Sequence, residues 1–123
     1  MTTPTLGAAF ADALARKAGD RVLDLLHPEL DFRAMTPNQV WEAATPEDVV
    51  DVLGQWFDET DVIEGVDAVE TGAFADRERV GYRLRVRNDD GLHLVEQQAY
   101  LSERDGRIGR LRIMCSGFRP VDG

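Results

Sequence analysis

The chain of 123 residues is about one domain long, and its 43% apolar content is too high for a disordered segment. Cys115 is the only cysteine, which excludes a disulfide scaffold. Fourteen Lys+Arg against 23 Asp+Glu leave a net charge of −9, which disfavours nucleic acid as a partner because phosphate contact needs a basic surface.

No apolar run approaches the roughly 18 residues of a membrane helix. The N-terminus has no basic region leading into an apolar stretch. The expectation is one soluble, cytoplasmic domain over 1–123, with no membrane partner. The charge is uneven. Residues 1–76 carry 4 bases and 16 acids, net −12, whereas 77–123 carry 10 bases and 7 acids, net +3, and every base there is arginine.

Leu6, Phe10, Ala13, Leu14 and Lys17 step by three and four and predict a first helix. Gly19 breaks it, and Asp20 is placed to cap a second short helix carrying Val22, Leu23, Leu25 and Leu26. His27-Pro28 ends that helix, since the residue before proline is pushed out of the helical region. Residues 30–36 read as a short strand with Phe32 and Ala34 on one face, closed by Pro37. Thr45-Pro46-Glu47-Asp48 supplies an N-cap, a proline at the first helical position and acids against the helix dipole. Val49, Val50, Val52, Leu53, Trp56 and Phe57 then form the buried stripe of a third helix.

Strand texture follows. Residues 61–75 are valine-rich, and Val80, Tyr82, Leu84 and Val86 alternate with Gly81, Arg83, Arg85 and Arg87. Asn88-Asp89-Asp90-Gly91 is a hairpin turn, 92–103 a further strand, Arg104-Asp105-Gly106 a three-residue turn, and 107–118 a last strand. Three helical segments and four long antiparallel strands indicate an α+β fold.

The order of these elements resembles the NTF2-like superfamily and, within it, the SnoaL-like (polyketide cyclase-like) branch. The resemblance rests on Phe10-Ala11-Asp12-Ala13-Leu14 followed by Gly19-Asp20, on His27-Pro28-Glu29-Leu30-Asp31-Phe32, and on Asp105-Gly106-Arg107-Ile108. It covers about residues 6–118. It implies an NTF2-like or cystatin-like cone: three N-terminal helices packed on a strongly curved, mainly antiparallel sheet, with a pocket inside. It also implies a homodimer through the outer sheet face.

Hairpin parity assigns the faces. Tyr82, Leu84, Val95, Gln97 and Ala99 share the inner face, which continues into Leu111, Ile113 and Cys115; Arg83 stands opposite Glu96 on the outer face, with Arg110 and Arg112 also outward. Phe32, Trp41, Trp56 and Phe57 approach the inner face from the first strand, a loop and the third helix. Together with Tyr82, His93, Gln97 and Ile113 they are the candidate ligand-binding residues for a small, partly hydrophobic molecule. The competing reading is an ordinary aromatic core in which Gln97 finds a backbone partner.

The superfamily's acid–base sets do not carry over. Where its steroid isomerases place a carboxylate before a proline on the first strand, this chain has Arg33-Ala34-Met35-Thr36. The first helix offers Phe10 and Leu14 rather than tyrosine. The end of the last strand, where cyclases use an aspartate, reads Met114-Cys115-Ser116-Gly117. Catalytic residues are therefore left unassigned. An isomerase, dehydratase or cyclase with a non-standard set such as Tyr82, Gln97 and His93, and a non-catalytic dimerisation module, stand as alternatives.

His27 reads as a cap on a helix-end carbonyl, and His93 as a strand end next to the first hairpin that need only face solvent. The two histidines lack metal-ligand spacing, so no metal and no cofactor are expected. Asp31 and Glu96 pair most simply with Arg33 and Arg83. Cys115 reads as a small buried hydrophobe. The arginines of the meander are expected on an outer face, paired with acids of the sheet or of a second subunit.

Overall fold

In the computed structural model, which describes residues 5–121, Thr5 opens the first helix, α1 (Leu6–Ala15): its Oγ1 accepts a hydrogen bond from the Ala8 N–H at 3.1 Å. The helix ends two residues earlier than its apolar stripe suggests. Lys17 adopts a left-handed conformation (φ 53°), and the N–H groups of Lys17 and Ala18 close back onto the carbonyls of Leu14 and Ala13. The second helix, α2 (Gly19–Leu25), starts on Ala18 with no side-chain cap. Asp20 sits inside its first turn, where its charge meets the helix dipole.

The first strand, β1 (Leu26–Thr36), begins four residues before the expected start. Pro28 is accommodated because the pairing is irregular between Leu26 and Asp31, so no ladder donor is required of it. Pro37 and Asn38, the latter at φ 67°, make a two-residue turn into β2 (Gln39–Ala43), a segment the sequence reading leaves as loop. Trp41 therefore stands on a strand, opposite Ala34. The third helix, α3 (Pro46–Trp56), has the expected start, with Thr45 Oγ1 accepting from the Asp48 N–H at 3.2 Å.

The meander comprises β3 (Val62–Phe74), β4 (Arg77–Asn88), β5 (Gly91–Arg104) and β6 (Arg107–Cys115), followed by the two-residue β7 (Arg119–Pro120). The last expected strand is thus broken at 116–118, where Gly117 takes φ 76°. All strands form one mixed sheet in the order β2-β1-β6-β5-β4-β3, with β7 against β5. The β1–β6 pair is parallel and every other pair antiparallel. The fold is α+β: three helices on a mixed, mostly antiparallel sheet.

The expected faces hold, by a different route at the second hairpin. Arg104 pairs with Arg107, so the turn is the two-residue Asp105-Gly106, both at positive φ. A shift between Ser102 and Glu103 then inserts Gly109 as an extra residue in β6. That bulge restores the parity a three-residue turn would have given, and places Leu111 opposite Leu101 and Ile113 opposite Ala99. Phe10, Leu26, Phe32, Leu84, Leu101, Leu111 and Ile113 are among the fully buried side chains of the resulting core.

Arg83, Arg85, Arg87 and Arg112 face outward and pair with acids of the chain, whereas exposed Arg110 makes no ion pair among the described residues. Arg83 meets Glu96 at 3.0 Å, Arg85 meets Asp67 at 2.9 Å and Arg87 meets Glu64 at 2.8 Å. Asp31 takes Arg112, at 3.1 Å, rather than Arg33; Arg33 lies nearest Glu42, at 3.6 Å. Parallel pairing of β1 with β6 brings Arg112 beside Asp31, a neighbour that strand spacing alone does not show.

Candidate functional site

Every candidate residue on the meander lies on the inner face. Tyr82 is opposite Gln97 on adjacent strands, and the Tyr82 hydroxyl donates to Gln97 Oε1 at 2.5 Å, with both side chains buried. Burial pushes the Tyr82 hydroxyl far above the usual phenol range, reinforced by the nearby Cys115 thiol, so it stays a protonated donor. Gln97 thus finds a side-chain partner, not a backbone one. Its carbonyl oxygen is occupied and its Nε2 has no partner among the described residues.

His93, two positions before Val95 on the same face, is buried rather than solvent-facing. The irregular stretch after β6 carries Phe118 over it, edge to ring, with centroids 5.6 Å apart. Phe118 also packs on Phe57, at 5.8 Å, so Phe57, Phe118 and His93 form one stack. His93 Nδ1 has no partner among the described residues.

At the other end, Trp56 of α3 lies between Phe32 (6.5 Å) and Trp41 (6.1 Å, edge to face). Trp41 Nε1 donates to Thr36 Oγ1 at 2.8 Å, whereas Trp56 Nε1 is buried without a partner among the described residues. Ile113 lies opposite Ala34 and Ala99 in the floor between these groups. The structure therefore resolves the eight candidates into an aromatic group (Phe32, Trp41, Trp56), a polar pair (Tyr82, Gln97) over Ile113, and the His93–Phe57 stack. Phe118, which sequence reasoning does not single out, completes the third. Its signal would have been Gly117, a left-handed turn residue that reverses the chain onto β5.

This face is closely packed, and no carboxylate belongs to the set. Buried Asp61 lies instead at the entry to β3, where its two carboxylate oxygens accept from the Asp58 N–H (3.1 Å) and from Asn88 Nδ2 (3.0 Å). His27 caps no carbonyl: its Nδ1 accepts from the Glu29 N–H at 3.0 Å and its Nε2 lies 3.3 Å from Asp105. Asp31 and Glu96 are exposed partners of arginine. Cys115 is half-buried, and its Sγ accepts from the Gly117 N–H at 3.4 Å. No group of His, Cys, Asp and Glu among the described residues is arranged to hold a metal ion. An apolar cleft of about 190 Å³ lies not on the sheet but between the three helices.

No family model matches the chain, and no curated protein matches it. Solved structures do. An epoxide hydrolase of the LEH-like type from M. tuberculosis superposes with TM-score 0.68 at 16% identity, covering 90% of this chain and 80% of that one. A protein of ketosteroid isomerase-like fold from Catenulispora acidiphila, solved with trimethylamine, superposes with TM-score 0.74 at 14% identity, covering 94% and 88%. At these identities the likeness is one of fold, and the fold is NTF2-like. No helix among the described residues is long and apolar enough to cross a membrane.

Proposed function

We propose that this NTF2-like chain binds a small, partly hydrophobic molecule against the inner face of its sheet, in the manner of a SnoaL-like cone. The observation that carries the reading is the set of three buried polar atoms without partners among the described residues: His93 Nδ1 and Gln97 Nε2 on that face, and Trp56 Nε1 on the helix packed against it. A core selected for stability alone would hold apolar groups there, because each unpaired buried polar group costs roughly 1–3 kcal/mol. Two of the three are donors, and the walls around them are aromatic. The matching ligand is an apolar body with an acceptor oxygen, admitted by displacement of Trp41 and Phe118, the partly exposed members of the face. Isomerase, dehydratase or cyclase chemistry would have to run through Tyr82, Gln97 and His93.

Both tryptophans of the chain lie in the site, which makes their emission a direct probe. Titration with camphor, an apolar cage carrying one carbonyl, is expected to change that emission saturably and to raise Tm by mass action. A folded protein whose emission and Tm both ignore the probe would defeat the proposal.

A homodimer through the outer sheet face accompanies this reading. Exposed Val40, Met35 and Met114 are successive ladder partners there and form an apolar row among the arginine pairs. Sedimentation should show a dimer that Met114→Lys splits; a monomer at all concentrations would refute it. An unpaired Cys115 thiol accords with a reducing compartment such as the cytoplasm.

A further inference from the structure

The cleft between the helices is a separate feature. Its walls are Leu14 of α1, Val22 of α2, and Val50, Leu53 and Phe57 along and after α3, and no lining residue comes from the sheet. Two features of its lining stand out. The first is Gly54. It lies within the last turn of α3, where glycine weakens a helix, yet its φ is not positive and a Cβ built on it would meet nothing within 4 Å. Neither backbone conformation nor close approach requires glycine; what it does is keep the cleft wall low.

The second is Lys17, the only lysine among 14 basic residues. It lines the same cleft from a left-handed position. Its ammonium donates to two main-chain carbonyls, those of Asp58 (2.6 Å) and Asp61, and makes no ion pair among the described residues. The neighbouring carboxylates are engaged elsewhere, Asp58 with Thr60, and Asp61 with Asn88 and the Asp58 N–H. The helices therefore present an unpaired cation, with a third N–H to donate, beside an apolar recess.

We infer that this cleft is a second binding site, for a small apolar carboxylate whose body lies over Gly54 between α1, α2 and α3 and whose carboxylate takes the Lys17 ammonium. At about 190 Å³ the recess is smaller than the roughly 300–1,000 Å³ of sites for drug-sized ligands, so the ligand is a single ring or a short chain.

The test is a titration of isotope-labelled protein with sodium benzoate, with benzyl alcohol as the uncharged counterpart, followed through backbone amide shifts. Benzoate is expected to move the Ala13, Gly19, Leu53 and Gly54 amides saturably and to leave Val95 and Gln97 in place. Gly54→Leu fills the recess and should abolish binding of both probes, while a melt shows the variant folded. Lys17→Met should weaken benzoate at least tenfold and leave benzyl alcohol unchanged. Gly54→Ala, the smaller filling, is expected to weaken both. The inference is overturned by the absence of saturable shifts, by shifts confined to the sheet face, or by wild-type affinity in Gly54→Leu. Shifts that follow protein concentration instead of benzoate would mean that a second copy of the chain occupies the cleft, and would overturn it equally. Failure of the camphor titration leaves these outcomes untouched, because the two sites share only Phe57.

Discussion

Removing the Tyr82 hydroxyl isolates the energetic role of the polar pair. In Tyr82→Phe, Gln97 Oε1 loses the donor that reaches it at 2.5 Å, and its Nε2 already has no partner, so a whole buried amide is left unpaired. The expected cost is about 2 kcal/mol. A domain of this length moves by about 3–5 °C per kcal/mol, so Tm should fall by about 6–10 °C. Gln97→Leu orphans only the hydroxyl while removing an amide that was half unsatisfied, and is expected to cost under about 1 kcal/mol. The double variant leaves neither group and should return to within about 0.5 kcal/mol of the parent or exceed it, giving a coupling of about 2 kcal/mol. Urea unfolding followed by far-UV circular dichroism measures all four corners of the cycle. If Tyr82→Phe is neutral, or if the double variant is less stable than either single one, the pair is not the buried, mutually dependent unit described above.

Gly117→Ala should destabilise by about 1–3 kcal/mol, because φ 76° disfavours a side chain and the new Cβ would meet Pro37 Cγ at 2.8 Å. Thermal melting checks it, and loss of the Phe118 contact should expose His93 to exchange. Gly54→Ala acts in the opposite direction, raising stability by about 0.5–1 kcal/mol, since helix propensity improves and nothing is crowded; a lower Tm would contradict the open space beside Gly54. Hydrogen bonding from Arg112 holds Asp31 below its usual pKa of 3.8. With the folded value depressed, the pair's contribution is full above pH 3.8 and is lost as pH falls through the lower folded value. Asp31→Asn should therefore flatten the acid limb of the stability profile below about pH 4 and change little at pH 7, where the pair is exposed.

Most of the fold was legible because local chemistry and global packing agree. Thr45-Pro46 marks a helix start under any tertiary context, and the strict alternation from Val80 to Arg87 fixes both a strand and its faces. The inner-face set was legible for the same reason, since Tyr82 and Gln97 are brought together by hairpin register alone. What escaped depends on non-local pairing. The β2 segment has no alternation of its own and exists because Pro37-Asn38 turns it back onto β1. Asp31 finds Arg112 only once β1 lies parallel to β6, and the extra Gly109 is visible only when Ser102 meets Arg110 across the ladder. His93 reads as a surface position until Phe118 is carried over it, and that depends on a left-handed glycine 24 residues away in sequence.

Two of the places where this chain departs from the rules of stable packing lie in the C-terminal half of α3. Successive helical residues turn by about 100°, so Gly54 and Trp56, two apart, project to nearly opposite sides. Trp56 packs on Phe32 and Trp41 of the sheet with its indole N–H unpaired among the described residues, Gly54 leaves a recess toward α1 and α2, and Phe57 belongs to both walls. An apolar Phe or Leu at 56 and an Ala at 54 would suit a helix whose only task is to cover a sheet. Sequences that fold uniquely satisfy propensity, packing and polar pairing together, and departures from that agreement gather where something else is required. Here two departures, at Gly54 and Trp56, fall within three consecutive residues of one helix end, while on the outer face Arg83, Arg85, Arg87 and Arg112 are each matched to an acid. Much of the basic excess of the second half is therefore taken up in ion pairs across the sheet, and the two proposed sites draw instead on neutral groups and a single lysine.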